Sequence, residues 1–154
     1  MSLKLNIRFV NIIFIILVGV PRMVEEIEVI LITGRTIEQG VGLEVGKTSE
    51  KYSTSVNYVE LNSDDAASLN AKSGSHIEVA NVNGRVVLYC HPVQSLRPGF
   101  VFIPYGPWAN QLLSTYSACT GTPQFKGVSA KVRLAENMEV LTIESLVKSL
   151  RGGL

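Results

Sequence analysis

The dipeptide Asn83-Gly84 lies between two runs rich in β-branched residues, at residues 76–82 and 85–90. Asn and Gly readily adopt the positive φ angles that a two-residue hairpin turn requires, so this pattern is the strongest short-range signal of a β-hairpin. The centre of the chain is therefore predicted to form two antiparallel strands joined by a tight turn.

Other short segments around this hairpin have strand character. We expect strands at residues 28–33, 57–61, 100–104 and 128–134, and the last alternates apolar with polar side chains, so it should be half exposed. Short helices are predicted where Ser63-Asp64-Asp65 offers a cap followed by acids, and after Thr142 over residues 143–150. Six or more short strands with two or three short helices indicate a mainly β protein, a small β-barrel.

Length and charge limit the classes of function. A chain of 154 residues is one domain's worth and can bury a core, and its formal net charge of +1 offers no broad basic surface for nucleic acid. The two cysteines form no CxxC pair and the two histidines lack suitably spaced partners, which argues against a protein-ligated metal site. Isolated thiols are typical of a reducing compartment or of buried packing, and we interpret Cys90 as a core residue.

Residues 1–22 do not match the rest of the chain. Residues 9–20 are almost wholly apolar and are flanked by basic residues. This run is shorter than the roughly 20 residues that a membrane-spanning helix needs, and the residues before Pro21 make a poor signal-peptide cleavage site. We favour a natural start at Met23, with a signal or anchor as the alternative, and assign residues 23–154 to one domain.

The predicted strand at residues 28–33 ends in a turn that combines a glycine, an arginine and two hydroxyls, in the order Thr33-Gly34-Arg35-Thr36. Glycine lets backbone N–H groups approach a phosphate, hydroxyls donate to it, and arginine supplies a planar charged fork. A phosphate or pyrophosphate site at a strand end is the functional interpretation. An ordinary solvated turn is the alternative, and this segment alone favours the ordinary turn.

Two further strand-end segments share this character. Residues 104–110 form a stiff turn with two prolines and two aromatic rings, which either stack on a planar ligand or plug the end of the barrel. Residues 119–127 mix hydroxyls, glycines, one aromatic and one cation, and are either a ligand loop or a solvated loop. None of the three segments contains a nucleophile–base pair or convergent carboxylates, so their chemistry is binding.

The blocks at residues 30–40, 46–47, 58–62, 102–110, 121–123 and 125–127 closely resemble the family of the D subunit of formylmethanofuran dehydrogenase. That family is similar to the molybdopterin dinucleotide-binding domain of the dimethyl sulfoxide reductase superfamily. The resemblance implies a double-psi β-barrel. It also implies a tungsten- or molybdenum-bis(pterin guanine dinucleotide) cofactor shared with the large catalytic subunit, and the complex's reversible reduction of carbon dioxide to formylmethanofuran.

Carried over residue by residue, the resemblance assigns fourteen cofactor-binding positions. Those expected along the dinucleotide phosphates or the pterin side are Thr33, Gly34, Arg35, Thr36, Gln39 and Gly40. Those expected to line the pterin or guanine, or to close the opposite side, are Tyr105, Gly106, Trp108, Asn110, Gly121, Thr122, Phe125 and Lys126. No catalytic residue and no metal ligand is assigned to this chain, because in the superfamily the side chain that completes the metal sphere belongs to the large catalytic domain.

Two other functions compete with a cofactor-binding subunit. A self-processing decarboxylase barrel needs an internal Gly-Ser cleavage site, and Gly74-Ser75 lies in a plain turn. A protein-interaction barrel without a cofactor would need neither the arginine turn nor the aromatic turn. The cofactor-binding interpretation accounts for all three loops. It predicts an isolated chain without activity, partnership with the other subunits of the complex, no nucleic-acid or membrane partner, and a cytoplasmic location.

Overall fold

The computed structural model describes residues 24–113 and 126–151, apart from the side chains of Lys126 and Leu150. The strands are β1 (Ile27–Gly34), β2 (Tyr58–Asn62), β3 (His76–Asn81), β4 (Gly84–Val93), β5 (Phe100–Pro104) and β6 (Lys126–Leu134). The helices are α1 (Ile37–Val45), α2 (Glu50–Val56), α3 (Ser63–Ser68), α4 (Pro107–Asn110) and α5 (Ile143–Arg151). The predictions for residues 1–22, including the choice of Met23 as the start, lie outside this range.

The six strands close into a barrel in the order β1-β5-β2-β4-β3-β6. Two neighbouring pairs are parallel, β1 with β5 and β2 with β4, and the other pairings are antiparallel. The connection from β1 to β2 passes over β5, and the connection from β4 to β5 passes over β2. These two interlocked crossovers make the fold a double-psi β-barrel, so the expected fold class is confirmed.

Alternation along the strands fills the barrel. On β1 the buried side chains are Val29, Leu31 and Thr33, while their neighbours are partly or fully exposed, as a strand with one inward face requires. On β6 the buried residues are Ala130 and Val132, which confirms that this strand is half exposed. Inward side chains of the other strands complete one contiguous core that includes Cys90.

The hairpin is confirmed, but its two turn residues are Val82 and Asn83 instead of Asn83 and Gly84, and neither Asn83 nor Gly84 has the expected positive φ angle. Asn81 pairs with Gly84, and the Asn81 side chain accepts hydrogen bonds from the backbone N–H groups of both Asn83 and Gly84. Strand β4 continues to Val93, three residues beyond the predicted end. Thr142 caps the last helix as expected, since its hydroxyl accepts from Ser145 N at 3.3 Å.

Two local predictions were wrong. The cap of α3 is Asn62 rather than a residue of the Ser63-Asp64-Asp65 segment, because the Asn62 side-chain oxygen accepts from Asp64 N at 2.8 Å. The loop expected to continue through residue 40 is instead helix α1. Together with α2 it forms a helical pair that the sequence interpretation missed. No helix in the described part of the chain is long and apolar enough to cross a membrane.

The helices α1 and α2 pack closely at a glycine. A Cβ atom built on Gly42 would lie 2.9 Å from the Cα atom of Tyr52, so only glycine allows the two backbones this approach. At the end of α2, Val56 is fully buried against the barrel, and a Cβ atom on Gly106 would lie 3.1 Å from its Cβ. The helical pair therefore lies directly over the segment that follows β5.

Candidate functional site

The predicted arginine turn and aromatic turn lie side by side. Because β1 and β5 are parallel and Gly34 pairs with Pro104, the chain leaves both strands at the same end of the barrel. The backbone N–H of Tyr105 donates to the carbonyl oxygen of Gly34 at 2.8 Å, which extends the pairing past the strand ends. Two of the three predicted loops are thus joined by main-chain hydrogen bonding.

The third predicted loop enters the same region through its last residue. Lys126 is the first residue of β6 and pairs with Ile32, next to a bulge near the end of β1. Gly121, Thr122 and Phe125 lie outside the described residues, and so does the Lys126 side chain. Their proposed contacts with a ligand remain predictions.

The residues of the arginine turn have different environments. Thr33 is 1% exposed, in the barrel interior, so its side chain is not presented at the surface. Arg35 is exposed, and in the described part of the chain its guanidinium makes no ion pair. Gly34 packs tightly, since a Cβ atom there would lie 3.1 Å from Phe102 Cε2. A ligand at this end would therefore meet Arg35 and the backbone of the turn first.

Thr36 begins a helix instead of continuing the loop. Its hydroxyl accepts a hydrogen bond from Gln39 N at 3.1 Å, the usual N-cap interaction. The same hydroxyl, beside the phenol of Tyr58, lowers the pKa of that phenol and so opposes the larger effect of its burial. Gly40 lies within α1 and is exposed, with open space around the position of a Cβ. Thr36 and Gly40 thus have helical surroundings that the loop interpretation did not predict, and their proposed cofactor contacts remain predictions.

Gln39 joins the two turns. Its side chain is buried at 6% exposure, and its Nε2 donates a hydrogen bond to the carbonyl oxygen of Tyr105. Its Oε1 is buried and has no hydrogen-bond partner among the described residues. The sequence interpretation placed Gln39 along a ligand, whereas the structure places it between α1 and the segment that follows β5.

The aromatic turn divides its residues between core and surface. Trp108 is 1% exposed and belongs to the hydrophobic core, so the structure gives it the barrel-plug position that the sequence left open. Its Nε1 has no hydrogen-bond partner in the described ranges. Tyr105 and Gly106 are partly exposed, and Asn110 is exposed at the end of α4. Tyr105, Gly106 and Asn110 are therefore the accessible members of this group.

A stacked pair of rings beside the arginine turn was not predicted. The rings of Tyr58 and His91, on the parallel strands β2 and β4, stack with centroids 4.5 Å apart and an interplanar angle of 18°. They line a cavity of about 500 Å³ together with side chains of α1 and α2. Partial burial raises the pKa of Tyr58, and the nearby carboxylates of Glu60 and Glu38 raise it further.

This end of the barrel suits an anion bearing planar rings. It combines the exposed guanidinium of Arg35 with the partly exposed ring of Tyr105, and the buried donor Nε1 of Trp108 has no partner in the described ranges. In the described part of the chain, no group of three His, Cys, Asp or Glu side chains could hold a metal ion.

Comparison with known proteins shows the family to which the chain belongs. The sequence pattern described as "Molydopterin dinucleotide binding domain" matches residues 29–129. Protein FwdD of Methanocaldococcus jannaschii is 38% identical over 96 residues, which are 62% of this chain and 72% of that protein. The C subunit of molybdenum-containing formylmethanofuran dehydrogenase 1 from Methanothermobacter thermautotrophicus is 32% identical over 124 residues, 79% of this chain but 30% of that relative.

Among solved structures, acetylene hydratase from Pelobacter acetylenicus has a similar barrel, with a TM-score of 0.55 over 70% of this chain and 18% of that one. At 20% identity this likeness shows the fold alone. The fold defines the chain as a double-psi β-barrel whose arginine turn and aromatic turn lie side by side at one end. The chain belongs to the molydopterin dinucleotide binding domain family, and its resemblance to the D subunit of formylmethanofuran dehydrogenase is confirmed.

Proposed function

We propose that this chain is a non-catalytic, cofactor-binding subunit of a tungsten or molybdenum formylmethanofuran dehydrogenase. The observation that carries the proposal is the pairing of Gly34 with Pro104, which sets the arginine turn beside the aromatic turn. Neither turn alone distinguishes a ligand site from a surface loop. Side by side, they provide a cation for a phosphate and aromatic surface for a ring.

The chain's own residues would bind and orient the pterin guanine dinucleotide. Arg35 would hold a phosphate through paired N–H···O bonds from its exposed guanidinium. Tyr105 would pack on a ring, and the exposed amide of Asn110 would hydrogen-bond a ring edge. When bound, the metal of the cofactor supplies the electron transfer that reduces carbon dioxide reversibly to the formyl group.

The partner at this end would be the large catalytic subunit. Exposed apolar side chains lie at every fourth residue of α1, at Ile37, Val41 and Val45, and thus form one stripe along the helix. The stripe begins two residues after Arg35. A partner chain that contacts a ligand held by Arg35 therefore has to come close to the stripe. We propose that the stripe is covered in the complex, whose location we expect to be cytoplasmic.

An interaction barrel without a cofactor is the alternative, and the same apolar stripe is the observation that favours it. Purification of the complex from its native source, with and without this chain, separates the two functions. We expect the dinucleotide and metal content per large subunit to fall when the chain is missing, and the chain alone to catalyse neither formylmethanofuran oxidation nor carbon dioxide reduction. Unchanged dinucleotide content would favour the interaction barrel, and turnover by the chain alone would exclude a non-catalytic role.

A further inference from the structure

We infer that Gln39 is a positioning residue that locks the arginine turn against the aromatic turn, so that Arg35 is presented in one fixed place. The inference rests on the proposed function, because it assigns a role in the same site. It assigns Gln39 no contact with the ligand. Its function is to hold the two turns together.

The peptide groups around Tyr105 are held from two sides. The backbone N–H of Tyr105 donates to the carbonyl oxygen of Gly34, which is the last residue of β1. The carbonyl oxygen of Tyr105 accepts a hydrogen bond from Nε2 of Gln39, in the first turn of α1. The backbone on both sides of Arg35 is therefore tied to the aromatic turn, once by the main chain and once by a side chain. Loss of either bond removes one of these two ties between the arginine turn and the aromatic turn.

The Gln39 side chain does not make the capping interaction that its position in the sequence predicts. Thr36 and Gln39 have the spacing of a capping box, in which the fourth side chain returns to the N–H of the capping residue. Half of that motif is present, since Gln39 N donates to the Thr36 hydroxyl. The Gln39 side chain instead reaches across to Tyr105, so a local interaction is replaced by one that joins the two turns.

The chemistry of the amide explains why this residue is needed. A carbonyl oxygen only accepts hydrogen bonds, so the nitrogen of Gln39 has to face Tyr105 and Oε1 has to face elsewhere. That oxygen is buried and has no partner in the described ranges, which is unfavourable. An apolar side chain of similar size would avoid this cost. The buried amide therefore indicates that its donor is required at this position.

The experiment compares Gln39→Glu with Gln39→Met in the assembled complex and in the full free chain. Glutamate has the shape of glutamine, but as a carboxylate it places a second acceptor against the Tyr105 carbonyl. When protonated, it donates as the amide does. Methionine has similar length and cannot donate at any pH. Glu38→Gln is the matched control, since it changes the charge of the exposed neighbouring residue on the same helix.

Two quantities are measured at about pH 5.5 and about pH 8.5, which lie on either side of the raised pKa expected for a buried Glu. They are retention of the pterin dinucleotide by the complex, and exchange of the amide hydrogens of residues 33–39, Tyr105 and Gly106 in the free chain, corrected for the intrinsic rate. For Gln39→Glu we expect roughly tenfold faster loss of the dinucleotide at the higher pH, and a return to within about twofold of the parent at the lower pH. Gln39→Met should be defective at both values, while Glu38→Gln should follow the parent.

Parent-like retention and exchange in Gln39→Met would overturn the inference. So would a defect of Gln39→Glu that persists at the lower pH, because a purely structural perturbation does not respond to protonation. If the parent complex itself holds no dinucleotide, the proposed function fails. The exchange measurements on the free chain still decide the inference, since they report the locking of the two turns without any ligand.

Discussion

The backbone N–H of Tyr105 donates a hydrogen bond to the carbonyl oxygen of Gly34 at 2.8 Å. This bond continues the parallel pairing of β1 with β5 beyond the strands themselves. Parallel neighbours need a crossover connection between them, and here that crossover contains the helical pair α1–α2 as well as β2, β3 and β4. The same topology that closes the barrel thus brings Arg35 next to the aromatic turn.

Replacing Arg35 with Ala is expected to weaken retention of the dinucleotide by the complex roughly tenfold or more, because a charge-assisted hydrogen bond is typically worth about 1.5–3 kcal/mol. The melting temperature of the free chain should hardly change, since Arg35 is exposed. Arg35→Lys should recover only part of the loss, because an ammonium group lacks the planar fork. Dinucleotide content per complex and thermal melts are the two measurements.

Arg97→Ala is the matched control for Arg35→Ala. Arg97 is also exposed, but it precedes β5 and so lies at the other end of that strand. Its replacement should leave dinucleotide content unchanged. Equal retention in both variants would remove Arg35 from the site, while a large fall in melting temperature for Arg35→Ala alone would show that its role is structural.

The two glycines of α1 provide a test of the helical pair. Gly42→Ala would place a Cβ 2.9 Å from the Tyr52 backbone, so the helices have to separate, and we expect destabilisation of about 1–3 kcal/mol. Gly40→Ala meets open space and improves helix propensity, so it should be neutral or stabilise by up to about 1 kcal/mol. Denaturant unfolding of the two variants checks the difference. Equal stabilities would mean that α1 and α2 do not pack at Gly42.

All six strands in the described residues were predicted, because each carries its signal locally. β1 is an apolar run, β6 alternates, and the hairpin has its turn dipeptide. Helix α1 was missed because glycines at positions 40, 42 and 46 resemble a loop, and α2 was missed because it is short and rich in Ser and Thr, which favour caps and turns. The capping pattern of Thr36 and Gln39 was the available signal for α1.

The sequence indicated which segments belong to the candidate site, but not how their residues are arranged in space. The three loops were grouped by composition, and the parallel register of β1 and β5 then placed two of them together. The burial of Trp108 and the bridging role of Gln39 depend on packing between segments far apart in the chain, which composition does not encode. The stacked rings of Tyr58 and His91 depend on the register of β2 with β4, which local patterns also leave open.

Two ion pairs on β6 offer a comparison between a buried and an exposed carboxylate. Arg133 Nε lies 2.8 Å from Glu78 Oε1, where the Glu78 side chain is 6% exposed, while Lys131 Nζ lies 2.9 Å from Glu26 Oε1, where the Glu26 side chain is 44% exposed. Arg133→Met should lower the melting temperature by several degrees, because it leaves a buried carboxylate without its cation. Lys131→Met should change it little, since exposed pairs contribute little.

The double variant Glu78→Gln, Arg133→Met tests the cause of this difference. Removing the charge of Glu78 together with its partner should recover much of the stability lost in Arg133→Met. Thermal melts of the parent, Glu78→Gln, Arg133→Met and the double variant give the coupling free energy between Glu78 and Arg133. If the double variant is less stable than Arg133→Met, the loss comes from packing of the arginine stem and not from an unpaired charge.

Cys90 is fully buried, and burial raises its pKa to about 11. At about pH 8 the thiolate, which is the reactive form, is then present in roughly one molecule per thousand. In a Cys119→Ala background, Cys90 should resist alkylation in the folded chain and react readily in denaturant, as followed by intact mass. Rapid labelling of the folded chain would show that Cys90 is accessible, contrary to its place in the core.

The raised pKa of Cys90 also predicts how stability depends on pH. The unfolded thiol has a pKa of about 8.5 and the folded thiol about 11, so the folded state holds the proton more tightly. The stabilisation is fully present below about pH 8.5 and is lost as pH rises toward 11, because unfolding then releases a proton. Cys90→Ala should lower stability near neutral pH by leaving a cavity, yet its stability should fall less steeply above about pH 8.5. Parallel pH slopes for parent and variant, measured by denaturant unfolding, would contradict the shift, since every other titrating group is common to both proteins.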